Sequence, residues 1–279
     1  MTHAQAGTDD GVAQAGTDAV AQAVARLTAA LDAGRPVAPV RDLIGEHDLA
    51  AAYAVQRELT RRRLDGGAVV VGRKIGLTSP AVQRQLGVDQ PDFGVLFADM
   101  DVSAEAEVPS GRLLQPKAEA EIAFVLKEDL TDGDLDVARV RSAVDHAVAA
   151  LEIVDSRIAS WDIRLTDTVA DNASSGLFVL ADRRLGLDEF EPHDTTMRLY
   201  ADDVQVSEGS GGACLGDPLN ALAWLARTAL DFGDPLRAGQ VVLSGALGPM
   251  VPAPPGTRIR AEISSLGEVT AVFSEKRDA

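Results

Sequence analysis

The chain has 279 residues, 46% hydrophobic and 25% charged, enough to bury a core as one large domain or two small ones. Its net charge of −17 and pI near 4.6 give no basic face for nucleic acid and no attraction to an anionic membrane. A single cysteine (Cys214), no secretory pattern at the start and no apolar run near the roughly 18 residues of a membrane span exclude a disulfide framework and predict a cytoplasmic protein.

Residues 1–17 repeat an Ala-Gln-Ala-Gly-Thr-Asp theme with almost nothing large to bury, which reads as a disordered arm. Residues 18–67 read as a helical N-terminal portion. Ala19 to Leu31 places Val20, Val24, Leu27 and Leu31 on one side with Gly34 as a stop. A second helix runs from an Asp48 cap to Leu64 and closes at Gly66 and Gly67. Residues 68–279 read as the catalytic unit, completed by 18–67. Strands are predicted over Ala68 to Ile75, Phe93 to Phe97 and Ile122 to Leu126, with a short helix from Ser79-Pro80 to Gly87. Asp136 to Ala150 reads as a helix feeding a strand at Leu151 to Val154. Strands follow at Gly176 to Leu180 and at Thr196 to Val206, turning at Asp202-Asp203, then a helix capped by Asp217-Pro218 and closing strands at Val241 to Ser244 and Ile259 to Phe273. Early helices and later strands without a βαβ repeat point to a mixed α+β fold with a curved or barrel-like sheet.

Glu119 and Glu121 alternate with alanines ahead of an apolar strand, so their side chains point the same way. Two neighbouring carboxylates call for neutralisation, and a hard divalent cation does that most simply, although a strand end open to water is the plain alternative. Glu152, inside Ala149 to Val154, is either an exposed acid at a strand start or the completion of a three-carboxylate set; Asp155 is the rival third ligand, on the opposite face. Lys74 follows a valine run between glycines: either a solvated lysine, or one whose pKa is lowered so that it moves protons. Asp92 after Pro91 is a turn residue or a water-positioning partner for Lys74. Asp171 to Gly176 and Ser244 to Pro249 are tight polar or small loops that either turn the chain or approach a ligand closely. The four histidines lack metal-ligand spacing, no Gly-x-Ser-x-Gly elbow occurs, and Gly209 to Gly212 lacks a phosphate-loop lysine. Cys214 reads as buried and inert.

Five stretches in order, Val71 to Thr78, Gly87 to Gly94, Gln115 to Glu121, Asp167 to Ser174 and Gly245 to Met250, resemble the 2-keto-4-pentenoate hydratases of the fumarylacetoacetate hydrolase superfamily over residues 36–275. The resemblance implies a mixed β-roll of the fumarylacetoacetate hydrolase C-terminal type, Mg²⁺ or Mn²⁺, and a homo-oligomer. It assigns Glu119, Glu121 and Glu152 to the metal, Lys74 and Asp92 to acid–base work, and Ser174, Ser175, Leu77 and Gly245 to the substrate. The implied reaction hydrates 2-hydroxypenta-2,4-dienoate to 4-hydroxy-2-oxopentanoate in meta-cleavage degradation of aromatics. Lys74 would assist protonation at carbon 5, water near Asp92 would add at carbon 4, and carbon 3 would be reprotonated. The alternatives are 4-oxalocrotonate decarboxylase, a hydratase of a dicarboxylic dienoate, or a non-catalytic subunit. Association with a decarboxylase or aldolase of the same pathway is a further expectation.

Overall fold

The computed structural model describes residues 7–79, 83 and 90–275. The helix expected to open at Ser79-Pro80 falls almost wholly outside them.

The first helix, α1 (Gly7–Ala33), begins inside the segment read as an arm, because alanine-rich sequence has high helix propensity even without large side chains. Val24 and Leu27 are buried as their spacing predicts, but Leu31 is 57% exposed. Helix α2 (Arg41–Ile44) is one short turn, and α3 (Leu49–Asp65) starts where the Asp48 carboxylate accepts the Ala51 N–H at 2.9 Å. The three helices bury Val24, Leu27, Ile44 and Val55 against Ile158 and Val169, forming an apolar cluster of their own. Buried Asp167 joins this portion to the rest by accepting the N–H groups of Val40 and Arg41, each at 2.9 Å.

Among the described residues, eleven strands form two sheets. The larger contains β1 (Val70–Gly76), β2 (Asp92–Phe97), β3 (Lys117–Leu126), β4 (Val144–Val154), β5 (Ser175–Leu180) and β8 (Val241–Leu243) in the order β2-β1-β8-β3-β4-β5; the two-residue β9 (Val251–Pro252) pairs with β3. Only β1 and β8 run parallel, so the sheet is mixed. The chain leaving β2 bridges Asp101 to Phe178 of β5, and Val102 donates to Phe178 O at 3.0 Å. This contact draws the two ends of the sheet together into the expected barrel-like curl.

The second sheet, β11-β10-β6-β7, comprises β6 (Thr196–Ala201), β7 (Val204–Ser210), β10 (Arg258–Ile263) and β11 (Gly267–Val272). Its β6–β7 turn is Asp202-Asp203, with φ of 47° and 66° at the two residues, the left-handed pair a two-residue hairpin requires. Large apolar residues from both sheets, including Phe97, Phe124, Phe178 and Phe273, share one core. The amphipathic α6 (Pro218–Asp231), capped by Asp217, buries Leu222 and Leu225 in that same core. None of the described helices is long and apolar enough to cross a membrane.

One element departs clearly from the sequence reading. The helix expected over Asp136 to Ala150 stops at Ala143 (α4, Val137–Ala143), and His146 to Ala150 belong to β4. Alanine favours a helix locally, but Ala147, Ala149 and Ala150 pair with β3 and are fully buried in the shared core. Small side chains in a strand covered on both faces let the neighbouring layers approach, and that packing overrides propensity.

Candidate active site

The site is assembled on four strands and the turn before a fifth. In the β3–β4 ladder Glu119 lies directly opposite Glu152, and Glu121 is two residues further along the same face. One carboxylate oxygen from each of the three lies within 4.8 Å of the others. Glu121 and Glu152 are buried, whereas Glu119 is half-buried and keeps the group open on its side. Parallel strand β8 separates β1 from β3, and the curl of the sheet brings Lys74 of β1 across it, with Nζ 2.9 Å from Glu152 Oε1.

Electrostatics follow from burying these charges together. Glu119 is pushed up to about 7 by burial and by the charge of Glu152. Glu121 lies well above the usual carboxylate range for the same reasons, partly offset by the Gly245 N–H donated to its Oε2 at 2.7 Å. Burial alone would lower Lys74, but Glu152, Asp92 and Glu119 together outweigh it and raise the lysine above its ordinary value. This direction belongs to the metal-free carboxylates; the lowered pKa, one of the two sequence readings, concerns a lysine beside a bound metal. Glu121 Oε1, Glu152 Oε2 and Asp92 Oδ1 are buried without a hydrogen-bond partner among the described residues. Converging hard oxygens with unused lone pairs fit a divalent cation such as Mg²⁺, Mn²⁺ or Ca²⁺. Asp155 does not join them: its carboxylate accepts the N–H groups of Leu114 and Gln115 and fastens the loop ahead of β3.

Asp92 opens β2 opposite Gly76. Burial raises it above the usual carboxylate range against the pull of Lys74. A Cβ at position 76 would come within 2.2 Å of Asp92 Oδ1, so glycine leaves the room this oxygen occupies. Changing Gly76→Ala is expected to displace the Asp92 carboxylate and lower turnover about 10–100-fold while the carboxylate triad still takes up metal. Steady-state kinetics beside a metal titration checks this, and wild-type turnover would contradict it.

The two serines are separated. Ser174 Oγ lies 3.2 Å from Thr168 Oγ1, and that threonine also bonds the Asp92 carboxyl. The Ser175 hydroxyl is committed to Asn172 O at 2.7 Å. Leu77, with φ of 57°, follows β1 directly after Gly76, and Gly245 follows β8 with φ of 104°. Cys214 is buried beneath that loop and donates to Ser244 O at 3.0 Å. Sequence reasoning missed Thr168 and Gln56. Gln56 Nε2, from α3, donates to Phe93 O and Val169 O at 2.9 Å each and ties the start of β2 to α5 (Leu165–Ala170). Thr168 sits inside one of the motifs singled out; a lone glutamine in a helix carries no signal.

Residues 74–274 match the model of the fumarylacetoacetate (FAA) hydrolase C-terminal family. The chain is 54% identical over 259 residues to the TodF product hydratase of Pseudomonas putida, covering 93% of this chain and 97% of that protein. It is 52% identical over 258 residues to the 2-keto-4-pentenoate hydratase of Burkholderia vietnamiensis, covering 92% and 98%. The solved 4-oxalocrotonate decarboxylase from Pseudomonas putida, complexed with magnesium and adipate, is similar with a TM-score of 0.87 and 33% identity over 92% of this chain and 97% of that one.

Proposed function

The chain belongs to the fumarylacetoacetate hydrolase family, and from that premise we propose that it is a divalent-metal-dependent hydratase converting 2-hydroxypenta-2,4-dienoate to 4-hydroxy-2-oxopentanoate. The observation that carries the reading is the Glu119–Glu121–Glu152 cluster with Lys74 seated against it. The greater identity to hydratases than to the decarboxylase favours hydration over loss of CO₂.

Glu119, Glu121 and Glu152 would hold Mg²⁺ or Mn²⁺. When bound, that ion supplies positive charge for a substrate carboxylate and its 2-oxygen. Lys74, raised above its ordinary value in the metal-free protein chiefly by Glu152 and Asp92, is the proposed proton donor toward carbon 5. Asp92 Oδ1, without a hydrogen-bond partner among the described residues, is the group proposed to orient the water that adds at carbon 4. Its raised pKa lets it take a proton from that water, and Thr168 and Ser174 extend the polar edge beside it. Ser174, Leu77 and Gly245 are the proposed substrate contacts; Ser175 acts on the same wall through Asn172. We also propose a cytoplasmic homo-oligomer acting in meta-cleavage degradation of aromatics beside a decarboxylase or aldolase.

Metal uptake should depend on pH with a definite sign. Glu119 at about 7 and Glu121 well above the ordinary carboxylate range tend to hold protons in the metal-free protein, and binding must expel them. Affinity therefore rises with pH through 7, and calorimetry at pH 6 and 8 should show at least about a tenfold gain. Equal affinities would contradict ligation by this cluster. The reaction class is tested by pairing two substrates. Loss of the dienoate is expected at a kcat/KM at least about 100-fold above CO₂ release from 4-oxalocrotonate. The reverse ratio would move the chain to the decarboxylases.

A further inference from the structure

Resting on the proposed proton transfer from Lys74, we infer that Asn172 is a positioning residue that aims the Lys74 ammonium by clamping a left-handed turn to strand β2. Asn172, Ala173 and Ser174 are three consecutive non-glycine residues with φ of 54°, 52° and 53°. Side chains rarely adopt this backbone region, and a run of three persists only where surrounding contacts enforce it. The reversal has a definite consequence: Ala173 O turns inward and accepts from Lys74 Nζ at 2.8 Å, while Ser174 O accepts from Asp155 N at 2.8 Å.

Asn172 supplies the enforcement. Its Oδ1 accepts the Val95 N–H at 2.8 Å and its Nδ2 donates to Val95 O at 2.9 Å, so the side-chain amide docks on β2 as another strand's peptide would. No other side chain of this size offers both a donor and an acceptor and also tolerates a left-handed backbone. The adjacent Gly94, which pairs with Lys74 in the β1–β2 ladder, admits the turn: a Cβ there would lie 2.5 Å from Asn172 O. The Ser175 hydroxyl closes the turn on Asn172 O.

An ammonium group has three N–H donors. Ala173 O and Glu152 Oε1 hold two of them, which sets the direction of the third. If the turn loosens, the lysine keeps Glu152 but loses its second anchor, and the remaining proton is no longer aimed.

The test uses the full-length metal-loaded enzyme with Asn172→Ala and Asn172→Asp, the latter keeping the acceptor for Val95 N–H and losing the donor to Val95 O. The alanine variant should lose about 10–100-fold in kcat with KM changed less than about threefold, and the aspartate variant should fall between it and wild type. Metal affinity should be unchanged, because the carboxylates stand on β3 and β4. A crystal structure of the variant should show Lys74 Nζ moved out of hydrogen-bond reach of Ala173 O. Wild-type kcat, metal affinity falling in step with kcat, or an intact Lys74–Ala173 contact would each overturn the inference. If the alanine variant does not fold, the aspartate variant decides by the same readouts. Should the wild type fail to hydrate the dienoate, the proposed function fails, and the crystallographic distance still judges the role of Asn172.

Discussion

Changing Glu121→Gln should make the metal-free protein more heat-stable and the enzyme almost inactive. Glu121 is fully buried, its Oε1 has no hydrogen-bond partner among the described residues, and the charges of Glu152 and Glu119 add to its desolvation. A carboxyl whose pKa is raised on folding opposes the folded state once the pH is high enough to ionise the unfolded chain. Glutamine keeps the shape and still accepts the Gly245 N–H, but it removes that cost. The melting temperature in EDTA should therefore rise at pH 8 and change little at pH 4. Metal should stabilise the variant far less than the wild type, because one of three anionic ligands is gone. The kcat/KM should fall about 10³-fold, equivalent to several kcal/mol of lost charge stabilisation. Differential scanning fluorimetry with and without Mg²⁺, beside kinetics, measures all three effects. An unstabilised metal-free variant, or one that keeps the full metal-induced shift, would contradict the assignment.

Changing Lys74→Met should give the opposite sign in the metal-free protein. Lys74 is the cation that Glu152 touches, at 2.9 Å, and both are almost completely buried. Removing one member of a buried pair costs about 3–5 kcal/mol, so the melting temperature in EDTA should drop. Mg²⁺ or Mn²⁺ should restore most of it, since the freed carboxylate then serves the ion. Turnover should fall about 10²–10⁴-fold, the worth of a positioned general acid, with metal affinity equal to or tighter than wild type. Loss of metal binding in this variant would show that Lys74 builds the site rather than delivering a proton. The two variants together separate a metal ligand from a proton donor by sign as well as by size.

The carboxylate triad was legible in the sequence because it follows from the two-residue period of a strand. Glu119 and Glu121 share a face whatever the rest of the fold does, and the ladder register then sets Glu152 opposite Glu119. The strand carrying Lys74, the Asp48 and Asp217 caps and the Asp202-Asp203 turn were legible for the same local reason. What escaped depends on packing across long sequence distances. The first half of β4 reads as helix until pairing with β3 and burial of its alanines in the shared core fix it as a strand. The raised pKa of Lys74 is set by acids on β2, β3 and β4, none of them near it in sequence. Gln56 and Thr168 reach the site from α3 and α5 through contacts that no local pattern announces. Asp155, chemically as good a ligand as Glu152, is committed instead to the N–H groups of Leu114 and Gln115.

The most direct measurement is turnover of freshly generated 2-hydroxypenta-2,4-dienoate in D₂O, followed by NMR, with Mg²⁺ or Mn²⁺ against EDTA. Metal-dependent loss of the diene, with 4-hydroxy-2-oxopentanoate carrying deuterium at carbons 3 and 5, is the predicted result. Hydration that proceeds undiminished in EDTA, or a product that has lost CO₂, would contradict the account.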